Sequence, residues 1–312
     1  MPPKIILDTD IGYFTDADDA IALAYLLLRD DIDLLGVTTV GKLSPQRAEL
    51  AEVICTQLGR AEMPVFAGAD RPICQTPWWP ENPVRPWPAD LQPRPQRTYP
   101  PDRALAWLIE TIRRHPGEVT LITIGQFTNL ATLLLADPEA AGMLARVVSM
   151  GGRLEYPPEK PRSECNVGLD PVAMTVVTQR TAVPFVLAPL DSVRGMGLSK
   201  EMLDTMLAGD RLSAVRDTWG AWGELKKTSG VGLADPFTVA AALEADLAPR
   251  RRGRVGVRLG HTKLEDGQPL PGDEVLGYTT FHADPAGPHE VFDPGDKAAI
   301  HVHLMDVFAR SG

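Results

Sequence analysis

Apolar runs recur along the chain at Ile5 to Leu7, Leu34 to Val40, Val65 to Ala67, Val119 to Ile124, Ala145 to Met150 and Val183 to Leu187, and each has the length of a strand. Between most of them lie Asp19 to Leu28, Ala48 to Leu58, Ala104 to Ile112 and Leu130 to Leu135, whose apolar positions have helical spacing. Such alternation predicts an α/β fold, a largely parallel open sheet covered by helices on both faces. Sites in these sheets gather at the carboxyl ends of the strands. The region after Gly253 reads as β-rich and finishes with Ala298 to Phe308, expected to form a last strand and a short helix. The run Arg250-Arg251-Arg252 reads as a solvated turn.

One segment interrupts this rhythm. Positions 72 to 101 hold ten of the 29 prolines and Trp78, Trp79 and Trp87. Proline at that density excludes a helix or a central strand, and three tryptophans are unusual for a linker, so an ordered loop over a pocket is expected.

The 312 residues allow one large domain or two ordinary ones. A net charge of −10 argues against general affinity for nucleic acid or anionic membranes, but says nothing of neutral small molecules. The cysteines, Cys55, Cys74 and Cys165, have no paired spacing, which fits a reducing compartment. No apolar run approaches the roughly 20 residues of a membrane span, and Asp8 follows Ile5 to Leu7 too soon for a signal peptide. The expectation is a cytoplasmic protein.

The chemistry concentrates in Leu7-Asp8-Thr9-Asp10-Ile11-Gly12-Tyr13-Phe14-Thr15-Asp16-Ala17-Asp18-Asp19-Ala20, with five carboxylates between positions 8 and 19. Alternation along a strand puts Asp8 and Asp10 on one face, so both are expected to leave its carboxyl end together. Asp18 or Asp19 could cap the following helix, but one cap does not explain five acids. A hard divalent cation with oxygen ligands does, with Asp16 the first member to be released to solvent.

These residues resemble the amino-terminal hallmark of the nucleoside hydrolases, which cleave the N-glycosidic bond of ribonucleosides: Asp8, Asp10 and Gly12, then Asp18, Asp19 and Ala20 opening a helix. The resemblance continues through Val37-Thr38-Thr39-Val40-Gly41, Gly125-Gln126-Phe127-Thr128-Asn129-Leu130-Ala131, Met150-Gly151-Gly152, Glu164-Cys165-Asn166, Asp170-Pro171 and Asp235-Pro236. It implies a single catalytic domain over residues 1–312 and a homodimer or homotetramer. It also implies calcium held by Asp10, Asp19, the carbonyl of Ile124 and Asp235, with Asp10 as general base. Asp18 would then grip a ribose hydroxyl, Glu164 and Asn166 the far side of the sugar, and Met150 would be pocket wall or core. Asn129 and Asp170 are expected to cap helices, and Asp235-Pro236 alone would read as a cap with proline in the first turn.

The chain departs from the family pattern in three places. The spacer from Asp10 to Asp18 is enlarged by Tyr13, Phe14 and Thr15. Lys42 stands where an asparagine is usual and is expected to point outwards. Ala234 replaces the histidine that base-nonspecific members place before the last aspartate, so activation of the leaving base must differ. An indole stacked on a purine could raise the basicity of its ring nitrogen, with Trp78, Trp79, Trp87, Trp219 and Trp222 as candidates. Two alternatives stay open: a non-catalytic calcium- and ribose-binding protein of the same fold, and a magnesium-dependent phosphatase built on Asp8-Thr9-Asp10.

Overall fold

The computed structural model describes residues 1–13, 15–74, 95–154, 163–260 and 276–310. In chain order the main elements are β1 (Lys4–Thr9), α1 (Asp18–Leu27), β2 (Asp33–Thr39), α2 (Ser44–Gln57), β3 (Val65–Ala67), α3 (Ala104–Arg114) and β4 (Val119–Thr123). They continue with α4 (Thr128–Ala136), α5 (Pro138–Ala141), β5 (Arg146–Met150), α6 (Cys165–Leu169), α7 (Pro171–Arg180), β6 (Phe185–Ala188), β7 (Gly197–Ser199) and α8 (Lys200–Met206). The remainder is α9 (Ser213–Lys226), β8 (Gly230–Gly232), α10 (Ala234–Leu243), β9 (Arg250–Gly260), β10 (Leu276–Ala283), β11 (His289–Phe292) and α11 (Lys297–Ala309).

Nine strands form one sheet in the order β10-β9-β11-β6-β5-β4-β1-β2-β3. Pairing is parallel from β11 to β3, and antiparallel where β9 meets β10 and β11. From β1 the chain winds outwards through β2 and β3, then returns to β4 on the other side of β1 and winds the opposite way through β5 and β6. The junction of β1 and β4 is therefore where the winding reverses, and a crevice opens there at the carboxyl ends of both strands.

Alternation along β1 sorts its side chains between two cores. Ile5 and Leu7 pack with α1, α2 and α10, whereas Ile6 packs with Leu108, Leu121, Leu130 and Val147 on the other face. Helix α1 is buried along all ten residues, as an apolar helix in the interior of a large domain must be. Truncating one of its leucines to alanine would cost about 2–5 kcal/mol. Among the described residues no helix is long and apolar enough to cross a membrane.

Several expectations need correction. Helix α2 starts at Ser44, with Pro45 in its first turn, four residues before the apolar spacing begins at Ala48. The arginine run is not a turn: it opens β9, where Arg251 pairs with Asp293 at 2.7 Å and Arg252 with Glu290 at 2.8 Å. Residues 298 to 308 lie entirely within α11, and the strand expected there lies earlier, as β11. Trp78, Trp79 and Trp87 fall outside the described residues.

Candidate active site

Asp8 and Asp10 do not act together. Strand β1 ends at Thr9, and Asp8 turns towards α4, where Oδ1 accepts from Thr38 Oγ1 at 2.5 Å and Asn129 Nδ2 at 2.7 Å. It is buried, its Oδ2 has no partner among the described residues, and burial pushes its carboxyl up to about 7. Asp8 is thus a strut. Asn129 is not a helix cap, because the same side chain also donates to Thr39 O at 3.0 Å and accepts from Ala69 N at 2.8 Å. Gly68 permits this latch, since a Cβ there would lie 2.4 Å from the Asn129 amide atoms. Asp170 does cap: it accepts from Ala173 N at 3.1 Å and also takes the Thr128 hydroxyl at 2.6 Å.

Thr9 points to the opposite face, as alternation requires, and its hydroxyl donates to Asp19 Oδ1 at 2.5 Å. Neither Asp18 nor Asp19 caps α1; the cap position is Ala17, without a side-chain bond. Asp235 is not a cap either, because α10 begins at Ala234 with Leu233 at the cap. Its amide instead donates to Asp18 Oδ2 at 3.3 Å, tying the start of α10 to the start of α1. Side-chain oxygens of Asp18, Asp19 and Asp235 lie within 4.8 Å of one another.

Asp10 faces the same cavity, of about 490 Å³, within the roughly 300–1,000 Å³ usual for small-molecule sites. Gly125, two residues past β4, lets the two strand ends close up: a Cβ there would lie 2.8 Å from the Asp10 amide nitrogen. Burial, reinforced by neighbouring carboxylates, raises Asp18, Asp19 and Asp235 well above the usual aspartate range. Asp10 is also raised by burial, with Arg47 opposing the shift. Asp16 is half-buried on the rim, bonded to the Ala17 amide at 2.9 Å, and burial raises it to about 6.

Arg47, which was not foreseen, supplies the cation behind this cluster. It is fully buried in the first turn of α2, and donates from Nε to Lys42 O at 2.9 Å and from Nη1 to Ile11 O at 3.1 Å. Its charge acts on both Asp10 and Asp19. The backbone carbonyl of half-buried Lys42 therefore serves the site by holding this guanidinium.

The sugar-side candidates converge on the same cavity, which Ile124, Met150, Glu164 and Asn166 line. Glu164 caps α6: Oε1 accepts from Asn166 N at 2.8 Å, and Oε2 from Val167 N at 3.2 Å and Gly152 N at 2.8 Å. It thereby pins the Met-Gly-Gly turn to α6, although burial still pushes its carboxyl up to about 7 against these bonds. Asn166 Nδ2 donates to Ile124 O at 2.9 Å and contacts Met150 Sδ at 3.2 Å. Of the two tryptophans on α9, Trp222 lines the cavity, whereas Trp219 is buried in the core. Lys226 and Ala234 complete that wall.

A family model described as inosine-uridine preferring nucleoside hydrolase matches residues 5–302. An uncharacterised protein of Schizosaccharomyces pombe is 32% identical over 266 residues, covering 81% of this chain and 84% of that protein. The pyrimidine-specific ribonucleoside hydrolase RihA of Salmonella arizonae is 29% identical over 276 residues, covering 82% and 85%. The solved structure of a purine-preferring ribonucleoside hydrolase from Gardnerella vaginalis superposes with a TM-score of 0.77 at 22% identity, covering 99% of each chain. A match across nearly the whole length, with its acidic elements meeting at the β1–β4 crevice, settles the class: this chain belongs to the inosine-uridine preferring nucleoside hydrolase family, hydrolases of ribonucleoside N-glycosyl bonds.

Proposed function

We propose that this chain releases the base from ribonucleosides with calcium as its cation and Asp10 as the general base. The observation that carries the reading is the meeting of Asp18 and Asp19, near the start of the chain, with the distant Asp235 at one cavity that Asp10 also faces. The donor set fits a hard divalent ion. It consists of oxygens, and burial and mutual repulsion raise its carboxylates well above the usual aspartate range, a cost that a bound cation would offset. Asp10, Asp19, Asp235 and the carbonyl of Ile124 would hold the ion, with Asp18 reaching a ribose hydroxyl. When bound, the ion supplies a lowered pKa for the attacking water and a grip on the sugar hydroxyls.

Asp10 takes the proton of that water at a carboxylate oxygen as the water adds to the anomeric carbon. The Arg47 guanidinium favours the ionised form of Asp10 for this task, partly offsetting the upward push of burial. The surrounding carboxylates stabilise the positive charge that develops on the ribosyl centre. Asn166 presents the far wall, while Glu164 positions it and the Met150 turn. The base departs towards Trp222, where a ring can stack. RihA is named for pyrimidines and the Gardnerella protein for purines, so the base preference is open to measurement.

The test is ribose release from a panel of purine and pyrimidine ribonucleosides in calcium. Asp10→Ala should lower kcat/KM by about 10²–10⁴-fold while thermal stabilisation by calcium is only reduced. Ala234, in place of a proton donor, motivates a second reading, a calcium- and ribose-binding protein without turnover. Nucleoside binding with no free ribose would select it.

A further inference from the structure

Among the described residues lining the cavity, Lys226 is the only basic one, and no histidine is among them. It ends α9, its side chain is exposed, and its ammonium stands 4.9 Å from the ring centroid of Trp222, one helical turn earlier. Among the described residues it forms no ion pair; it lies over the indole, and its charge also acts on Asp16 at the rim. Ala234 offers only a methyl group on the same wall. Breaking the glycosidic bond leaves an electron pair on the base, and a charged donor near that base stabilises the product of bond breaking more than the bound nucleoside.

We propose that Lys226, held over Trp222, is the residue that stabilises the departing base and discriminates between bases by the groups on their edge. The inference rests on the nucleosidase reading above. In the step concerned the C1′–N bond breaks, its electron pair stays on the base, and the oxygen of the attacking water bonds to C1′ while its proton passes to Asp10. The base, now negatively charged, accepts a hydrogen bond from the ammonium at a carbonyl oxygen and afterwards takes a proton from solvent. Lys226 remains an ammonium throughout. An ammonium has three donors and no acceptor, so it favours a base edge that carries a carbonyl over one that carries an amino group.

The experiment compares the full-length protein with Lys226→Met and Lys226→Arg in calcium, using inosine, adenosine and p-nitrophenyl β-D-ribofuranoside, whose leaving group needs little assistance. Lys226→Met should lower kcat/KM for inosine roughly 10- to 150-fold, the span of one charge-assisted hydrogen bond. The loss should fall mainly on kcat, and the inosine-to-adenosine ratio should drop at least tenfold. The p-nitrophenyl substrate should lose far less, and Lys226→Arg should recover most of the inosine rate. Equal losses on all three substrates, or an unchanged inosine rate, would overturn the role of Lys226 alone. If the unaltered protein releases no ribose from any of them, the nucleosidase reading fails and this inference with it. An unchanged stabilisation by calcium in Lys226→Met shows that its effect is confined to the base end.

Discussion

Replacing Asp235 with asparagine removes one charge from the carboxylate centre while keeping its shape, and the two states of the site respond in opposite directions. Oxygens of Asp18, Asp19 and Asp235 lie within 4.8 Å of one another. Two unit charges at that separation repel by about 3.5 kcal/mol at an effective dielectric near 20, so the two pairs that include Asp235 would cost about 7 kcal/mol if all three acids were ionised. Burial and this repulsion raise Asp235 well above the usual aspartate range, so the metal-free fold carries a penalty that the unfolded chain does not, smaller than the full Coulomb sum because the acids need not all be ionised. Asparagine carries no charge to repel, so metal-free Asp235→Asn should be more stable than the unaltered protein by about 1–4 kcal/mol at pH 7, a fraction of that Coulomb penalty. That corresponds to a rise of roughly 2–8 °C in Tm. In calcium the order should reverse on the proposed reading, because ligand binding to the native state favours the protein that keeps all its charged donors. Differential scanning fluorimetry in EGTA and in millimolar calcium reads both signs. A variant less stable than the parent in EGTA, or one that gains as much from calcium, would refute the shared-ion argument.

Asn129→Ala removes a buried side chain that bridges Asp8, Thr39 and Ala69, and leaves the Ala69 amide without its partner. Urea unfolding should show a loss of about 2–4 kcal/mol. Metal-free stability should also fall as pH rises. Asp8 and Glu164 carry folded values of about 7 against ordinary values of 3.8 and 4.5, so between these limits the native state binds more protons than the unfolded chain. The unfolding free energy in EGTA should therefore decline from about pH 4 to about pH 7, by on the order of 3–4 kcal/mol for each group, and level off above. Calcium should oppose this decline by competing with protons for the neighbouring acids, so the gain from calcium should grow with pH.

The parallel strands were legible because each is a short apolar run, and the metal-ligand candidates because five acids stood in one short stretch. Position alone did not show what each acid does. Asp8 and Asp10 share a strand face by count, but β1 ends between them, so one enters the α4 network and the other reaches the cavity. Arg47 was hidden because the apolar period starts at Ala48, whereas the helix begins at Ser44 after a left-handed Leu43 that no local residue preference announces. Pro45 was the available signal for that earlier start. Asn129 looked like a cap because Thr-Asn opens a helical run; its reach across to β1 and Ala69 depends on tertiary proximity that Gly68 allows. Lys226 and Trp222 are four residues apart on an exposed helix end, a pattern shared with many surface pairs, and only the cavity distinguishes them.

The reversal of winding at β1 and β4 also bears on how the protein is made. Asp18 and Asp19 leave the ribosome more than two hundred residues ahead of their distant partner Asp235. At roughly 5–20 residues per second the nascent chain carries those acids for some 10–45 s before α10 can complete the centre. No amino-terminal fragment that stops short of Asp235 can assemble the full carboxylate cluster. A prematurely terminated chain would therefore lack one of the three converging carboxylates and should be a poor nucleosidase, however well its first strands had paired.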